Sequence, residues 1–243
     1  MVQLGNRLFP FRRFFYGIPI LILLVGSTRL RYPFGSHLWD EIFEMAGFVT
    51  ALTGIALRFW ASGSSLRGVI KKAKTARFHL RSTGIFSAVR HPHFLGDFLI
   101  AWGLSIPLVH PVLILLSLTT FGLLSFPILF AREILLLRRY PNAYQQYRAK
   151  TPLLLPSLKN WTPNKIRFRW CLALRKEANL LGVIGILFFC IEQFRDRIIE
   201  GRWDQNPLWV SLVIPFFIGF VLLSIFDTPG EDFPNVSHGS HFD

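Results

Sequence analysis

Six long apolar runs, each bounded by basic, aromatic or proline residues, constrain this chain more than any other feature. They cover about Phe14–Ser27, Phe43–Ala61, Phe94–Val109, Pro111–Ala131, Ala178–Phe194 and Leu208–Phe226. A helix crossing ~30 Å of hydrocarbon needs about 20 mostly apolar residues, so the runs read as membrane spans. The first is short and draws on Phe9 and Phe11 at its edge. Arg7, Arg12 and Arg13 precede it and Arg29 and Arg31 follow it, with no small-residue cleavage site between. It is therefore read as an uncleaved span rather than a signal peptide. Only 17% of the 243 residues are charged and 51% are hydrophobic, against about 25% charged in an ordinary soluble domain. The expected fold is an all-α, polytopic transmembrane helical bundle of about six spans.

Charge placement orients the spans. The segment Gly63–His93 holds seven Lys or Arg residues and Arg132–Lys176 holds eleven, whereas the other side holds five: Arg29, Arg31, Arg195, Arg197 and Arg202. Basic loops stay cytoplasmic, and an even number of spans then puts both termini on that side, in a cytoplasmic (inner) membrane. The net charge of +13 thus reflects loops flanking spans, and no basic domain with base-stacking aromatics is expected to bind nucleic acid. Cys171 and Cys190 are too few for a disulfide framework or zinc site and are read as free thiols. The chain divides into an N-terminal span and loop (1–42), a core (43–158), a basic linker with two further spans (159–226) and an acidic, flexible tail (227–243).

Only His110 separates the third and fourth runs, and Pro111 suits the first turn of a helix. The two runs therefore form a tight antiparallel hairpin. Its ends bring Ser82–Gly96 and Arg132–Tyr147 together at the cytoplasmic face. Thr83-Gly84 permits a tight turn. Arg90 and His91 supply cations or donors, Glu133 a carboxylate, and Tyr140, Tyr144 and Tyr147 aromatic faces with polar tips. Such a set suits a flat zwitterionic ligand. Each residue also has a plainer role. Arg90 fits the positive-inside pattern and His91 a helix start. Glu133 could partner Arg132 or Arg90, and the tyrosines fit an interfacial belt. Arg58 and Trp60, ending the second run, read as snorkelling and anchoring residues. Asp97 lies one turn beyond His93 and is a candidate site residue or a partner for Arg90. Glu192 reads as structural.

The run Arg90-His91-Pro92-His93-Phe94-Leu95-Gly96 resembles the Arg-His-Pro-x-Tyr-x-Gly signature of the isoprenylcysteine carboxyl methyltransferase and phospholipid methyltransferase superfamily. Upstream, Leu57-Arg58-Phe59-Trp60-Ala61 resembles its Leu-Arg-x-Trp-Ala segment. Downstream, Glu133, Leu136, Tyr144, Tyr147, Pro152 and Pro156 fall on the pattern Glu-Glu-x-x-Leu, Tyr-x-x-Tyr and Val-Pro. The resemblance covers about residues 43–158. It implies an S-adenosylmethionine pocket facing the cytoplasm, with Phe78, His79, Leu80, Phe86, His91, Pro92, His93, Phe94 and Glu133 as cofactor contacts. Membrane lipids surround it, and a lipid or other hydrophobic methyl acceptor enters from their side. Arg90, His91, Arg132 and Glu133 are the implied catalytic set, and Asp97, Tyr140, Tyr144 and Tyr147 could face it. The chain departs from the pattern at Arg132, where the family has the first Glu, and at Phe86 and Phe94, where it has tyrosines. Leu129 stands near the family's acceptor-binding arginine, which argues against prenylcysteine. Two other functions share this scaffold. One is an NADPH-dependent reductase of sterol-like lipids, whose His-Pro-Asn-Tyr-x-Gly-Asp is similar to His91–Asp97. The other is a catalytically inactive binding protein.

Overall fold

A computed structural model describes residues 37–64, 80–164 and 167–199, together with 211, 214 and 218. The first expected span, most of the sixth and the acidic tail lie outside the described residues. Within them the chain is all helical, with no strand: α1 His37–Gly63, α2 Ile85–Ala88, α3 Pro92–Ser105, a 3-10 turn Ile106–Leu108, α4 Pro111–Arg139, α5 Pro141–Lys150 and α6 Trp170–Ile199.

Prolines set most of the boundaries. Pro92, Pro111 and Pro141 each open a helix, where a missing amide hydrogen is lost at no cost. Pro107 converts the end of α3 into the 3-10 turn. Val109 then adopts a left-handed conformation (φ 48°), unfavourable for a β-branched residue, and extended His110 leads into α4. The α3–α4 hairpin expected from the sequence is thus present, but its first arm is shorter than the apolar run. The second arm extends eight residues past Ala131, to Arg139. Likewise α6 begins at Trp170, ahead of the expected Ala178. The helices Leu38–Gly63 and Pro111–Arg139 are each long and apolar enough to cross a membrane.

Helix α1 is the centre of the packing, between α3 and α6. It crosses α3 at two pairs of glycines seven residues apart on each helix. A Cβ on Gly47 would stand 2.5 Å from the Gly103 carbonyl oxygen, and one on Gly54 would stand 2.5 Å from that of Gly96. The reciprocal distances are equally short, so the backbones touch and only hydrogen fits between them. Beyond these contacts Phe48, Ala51 and Ile55 of α1, Ile100 and Leu104 of α3, and Ile184, Phe188 and Ile191 of α6 form the core. Phe48 and Phe188 meet edge to face at 5.4 Å. Between α3 and α4, the hydroxyl of Ser105 donates to that of Ser117 at 2.9 Å, so neither is left unpaired inside.

Candidate active site at the open end of the hairpin

Residues from both motif stretches meet at one place. His91 is the N-cap of α3, and Arg90 precedes it. Glu133 lies on α4 where the antiparallel hairpin brings that helix back to the same end. Arg90 Nη1 donates to Glu133 Oε2 at 2.5 Å, and His91 Nε2 lies 2.6 Å from Oε1. The Tyr144 hydroxyl, from α5, also donates to Oε1. The Arg90, His91 and Glu133 side chains are only 10–11% exposed, so these charge-assisted bonds act with little competition from water. Arg90 Nε is buried and makes no hydrogen bond among the described residues.

The segment after α5 holds the motif from outside. Arg90 N donates to Pro152 O, Ser157 N to Ala88 O and Gly84 N to Thr162 O, at 2.8–3.0 Å. Thr162 N donates in turn to Ser87 Oγ at 3.0 Å. Gly84 has φ 62°, a left-handed value that favours glycine, and a Cβ there would crowd Asn164 at 3.1 Å. Tyr147 Oη donates to the Phe86 carbonyl at 2.5 Å. Burial pushes the Tyr144 phenol well above its ordinary value, helped by the adjacent Glu133 carboxylate, and burial does the same to Tyr147. Both remain neutral donors.

The other expected residues divide. Pro92 is buried as the first residue of α3. Phe86 is buried, with the Arg81 guanidinium 5.5 Å from its ring centroid. Phe94 packs on Phe121 and Phe126 of α4, at 6.2 and 5.6 Å between centroids. Leu80 is half-buried, and Phe78 and His79 lie outside the described residues. Tyr140 forms the joint between α4 and α5. Arg132 is exposed beside the cluster. His93 is held at a pKa of about 3, by burial first and then by the positive charges of Arg58, Arg132, Arg81 and Lys176. At neutral pH it is therefore an uncharged imidazole.

Two expectations are corrected. Asp97 pairs with Arg58 and not with Arg90, whose Nη1 is taken by Glu133. Arg58 does not snorkel. It bridges Asp97 and Glu177, with Nε 2.7 Å from Glu177 Oε2. Glu177, 3% exposed, also accepts from Ser62 Oγ at 2.7 Å. Sequence reading missed Glu177 because it lies in a basic stretch that resembles a loop. Its one signal was a carboxylate among Arg175, Lys176 and the apolar run that follows. Cys171 and Cys190 are free, as expected.

Fold and site thus define, among the described residues, an all-helical protein with two helices of membrane-crossing length and a buried carboxylate-centred cluster at helix ends. The chain belongs to the family described as a protein of unknown function, DUF1295, whose match covers residues 12–151. It is also 23% identical over 141 residues to protein-S-isoprenylcysteine O-methyltransferase of Rattus norvegicus. That alignment covers 55% of this chain, and the chain spans about half (50%) of that relative's length. Both findings agree with the superfamily resemblance carried by the motifs. No solved structure matches the chain.

Proposed function

We propose that this protein is a membrane-embedded S-adenosylmethionine-dependent methyltransferase acting on a lipid or other hydrophobic acceptor. The observation that carries the reading is the convergence of Arg90, His91 and Tyr144 on Glu133 in one buried cluster. The similarity to a methyltransferase over 141 residues supports it. The donor set fits a zwitterionic amino-acid group. The Glu133 carboxylate can accept from an ammonium, and the orphaned Arg90 Nε–H is a donor that a ligand carboxylate would satisfy. S-adenosylmethionine, when bound, supplies an electrophilic methyl on a sulfonium. The chain's own contribution is positioning: Tyr144 fixes the Glu133 carboxylate, Pro152 fixes the backbone of Arg90, and the start of α3 fixes His91.

The six-span topology, cytoplasmic termini and inner-membrane location complete the proposal. Apolar side chains along α4 support it: Val112, Leu115 and Leu123 are 64–70% exposed among the described residues, a surface suited to lipid. One observation favours the inactive-scaffold reading. Both Glu133 oxygens are already occupied by protein donors, so a ligand ammonium must displace or join them.

Calorimetric titration of the detergent-purified protein with S-adenosylmethionine, alongside NADPH and a Glu133→Ala control, separates these readings. Saturable binding lost in the variant is the expected result. NADPH binding instead would establish the reductase, and binding of neither the inactive scaffold.

A further inference from the structure

A second charged cluster lies outside the site and draws on a helix beyond residues 12–151. Arg58, on α1, is held between two carboxylates from different helices, Asp97 on α3 and Glu177 on α6. Its path across α3 is opened by Gly96, where a Cβ would come within 2.5 Å of Arg58 Cγ and 3.2 Å of Cδ. Gly96, the last residue of the motif stretch, and Asp97 just after it therefore form one docking feature: a gap for the alkyl stem and an anion for the head. Glu177 is fixed independently by Ser62, one turn along α1 from Arg58. A planar guanidinium can satisfy two carboxylates at once, which a lysine ammonium on the same stem does less well.

The consequence reaches the candidate site through helix geometry. Asp97 stands four residues after His93 and six after His91, so pinning Asp97 fixes the rotation of the first turns of α3. That rotation sets where His91 meets Glu133. We propose that Arg58, clamped by Glu177, is a positioning residue for the Arg90–His91–Glu133 site. Helix α6 is thereby a working part of that site. The proposal rests on the methyltransferase reading for its binding readout, and the measurements below separate the two.

Full-length Glu177→Gln, Asp97→Asn, Arg58→Lys and Arg58→Gln are compared with wild type for S-adenosylmethionine affinity and for Tm. Glu177→Gln is expected to weaken binding about tenfold while Tm falls by only a few degrees, and Arg58→Lys to fall between wild type and Arg58→Gln. Loss of affinity out of proportion to Tm is what a merely structural role would not produce. Unchanged affinity in both Glu177→Gln and Asp97→Asn overturns the proposal. If wild type binds no S-adenosylmethionine, the methyltransferase reading fails, and amide hydrogen exchange of residues 91–97 decides the positioning claim alone. Faster exchange there in Glu177→Gln supports it, and unchanged exchange overturns it. Ser62→Ala, which frees one Glu177 oxygen without removing a charge, carries the same comparison with a smaller effect where a charge variant does not fold.

Discussion

The two charged clusters are built in opposite ways. At the end of the hairpin a single carboxylate, Glu133, is surrounded by three donors: Arg90, His91 and Tyr144. Between α1, α3 and α6 a single cation, Arg58, is surrounded by two carboxylates. The first has a donor to spare, since Arg90 Nε makes no hydrogen bond among the described residues. The second uses its guanidinium to tie three helices together, and Ser62 secures its deepest carboxylate. A surplus donor marks the Glu133 cluster, and one cation shared by two anions marks the Arg58 cluster.

The sharpest way to break this comparison is to remove each hub. Arg58→Ala would leave Glu177 buried, and Asp97 half-buried, without their shared cation, and loss of one partner of a buried pair costs on the order of 3–5 kcal/mol. Chemical denaturation in detergent should show this as the largest drop of the set. Glu133→Gln keeps shape but removes the charge that Arg90 faces. It should cost less, about 2 kcal/mol, and should abolish cofactor binding in the same calorimetric titration. If Glu133→Gln proved the more destabilising of the two, the assignment of roles would be reversed.

A smaller effect tests the frame on which both clusters depend. Gly54→Ala puts a Cβ 2.5 Å from the Gly96 carbonyl oxygen, which is backbone and cannot swing away. The α1–α3 crossing must open, at about 1–3 kcal/mol, and thermal unfolding should report it. Because the same crossing brings Arg58 to Asp97, binding should weaken alongside.

The smallest effect is in pH dependence. Tyr144 and Tyr147 have phenol pKa values raised by burial. A raised folded-state value means that stability is fully present below the unfolded value of about 10 and is lost as pH rises through and beyond it. Tm measured from pH 8 to 11 should therefore fall above pH 10. Tyr147→Phe should lower Tm slightly at pH 8, through the lost bond to the Phe86 carbonyl, and flatten the alkaline decline. A decline unaffected by this change would place the sensitivity elsewhere.

Much of the Glu133 cluster could be read from the sequence because it is local to one hairpin. Two apolar runs parted only by His110 must return to the same end, so residues just before the first run and just after the second must meet. Connectivity alone therefore brings Arg90 and His91 to the end of the hairpin that carries Glu133. The tyrosines were harder. Tyr144 and Tyr147 fitted an interfacial belt as well as a site, and only the turn at Tyr140-Pro141 folds α5 back so that both are buried. For Asp97 the sequence offers a site role or a pairing with Arg90, its neighbour along the chain, whereas Arg58 is its neighbour across the α1–α3 contact.

What the sequence by itself determined is the all-helical class, the hairpin and the residues gathered at its open end. Those follow from apolar run length, from proline at helix starts and from chain connectivity, all of which are properties of consecutive residues. Tertiary structure alone decided the Arg58–Asp97–Glu177 clamp, whose members are separated by 39 and 119 residues. It depends on the rotation of each helix about its axis. Close packing at Gly47–Gly103 and Gly54–Gly96 brings α1 and α3 near enough for the clamp to form, and the packing of Phe188 on Phe48 does the same for α6. A periodic apolar pattern shows that a helix has a buried face; only the packed neighbours fix which residue of that face meets which charge.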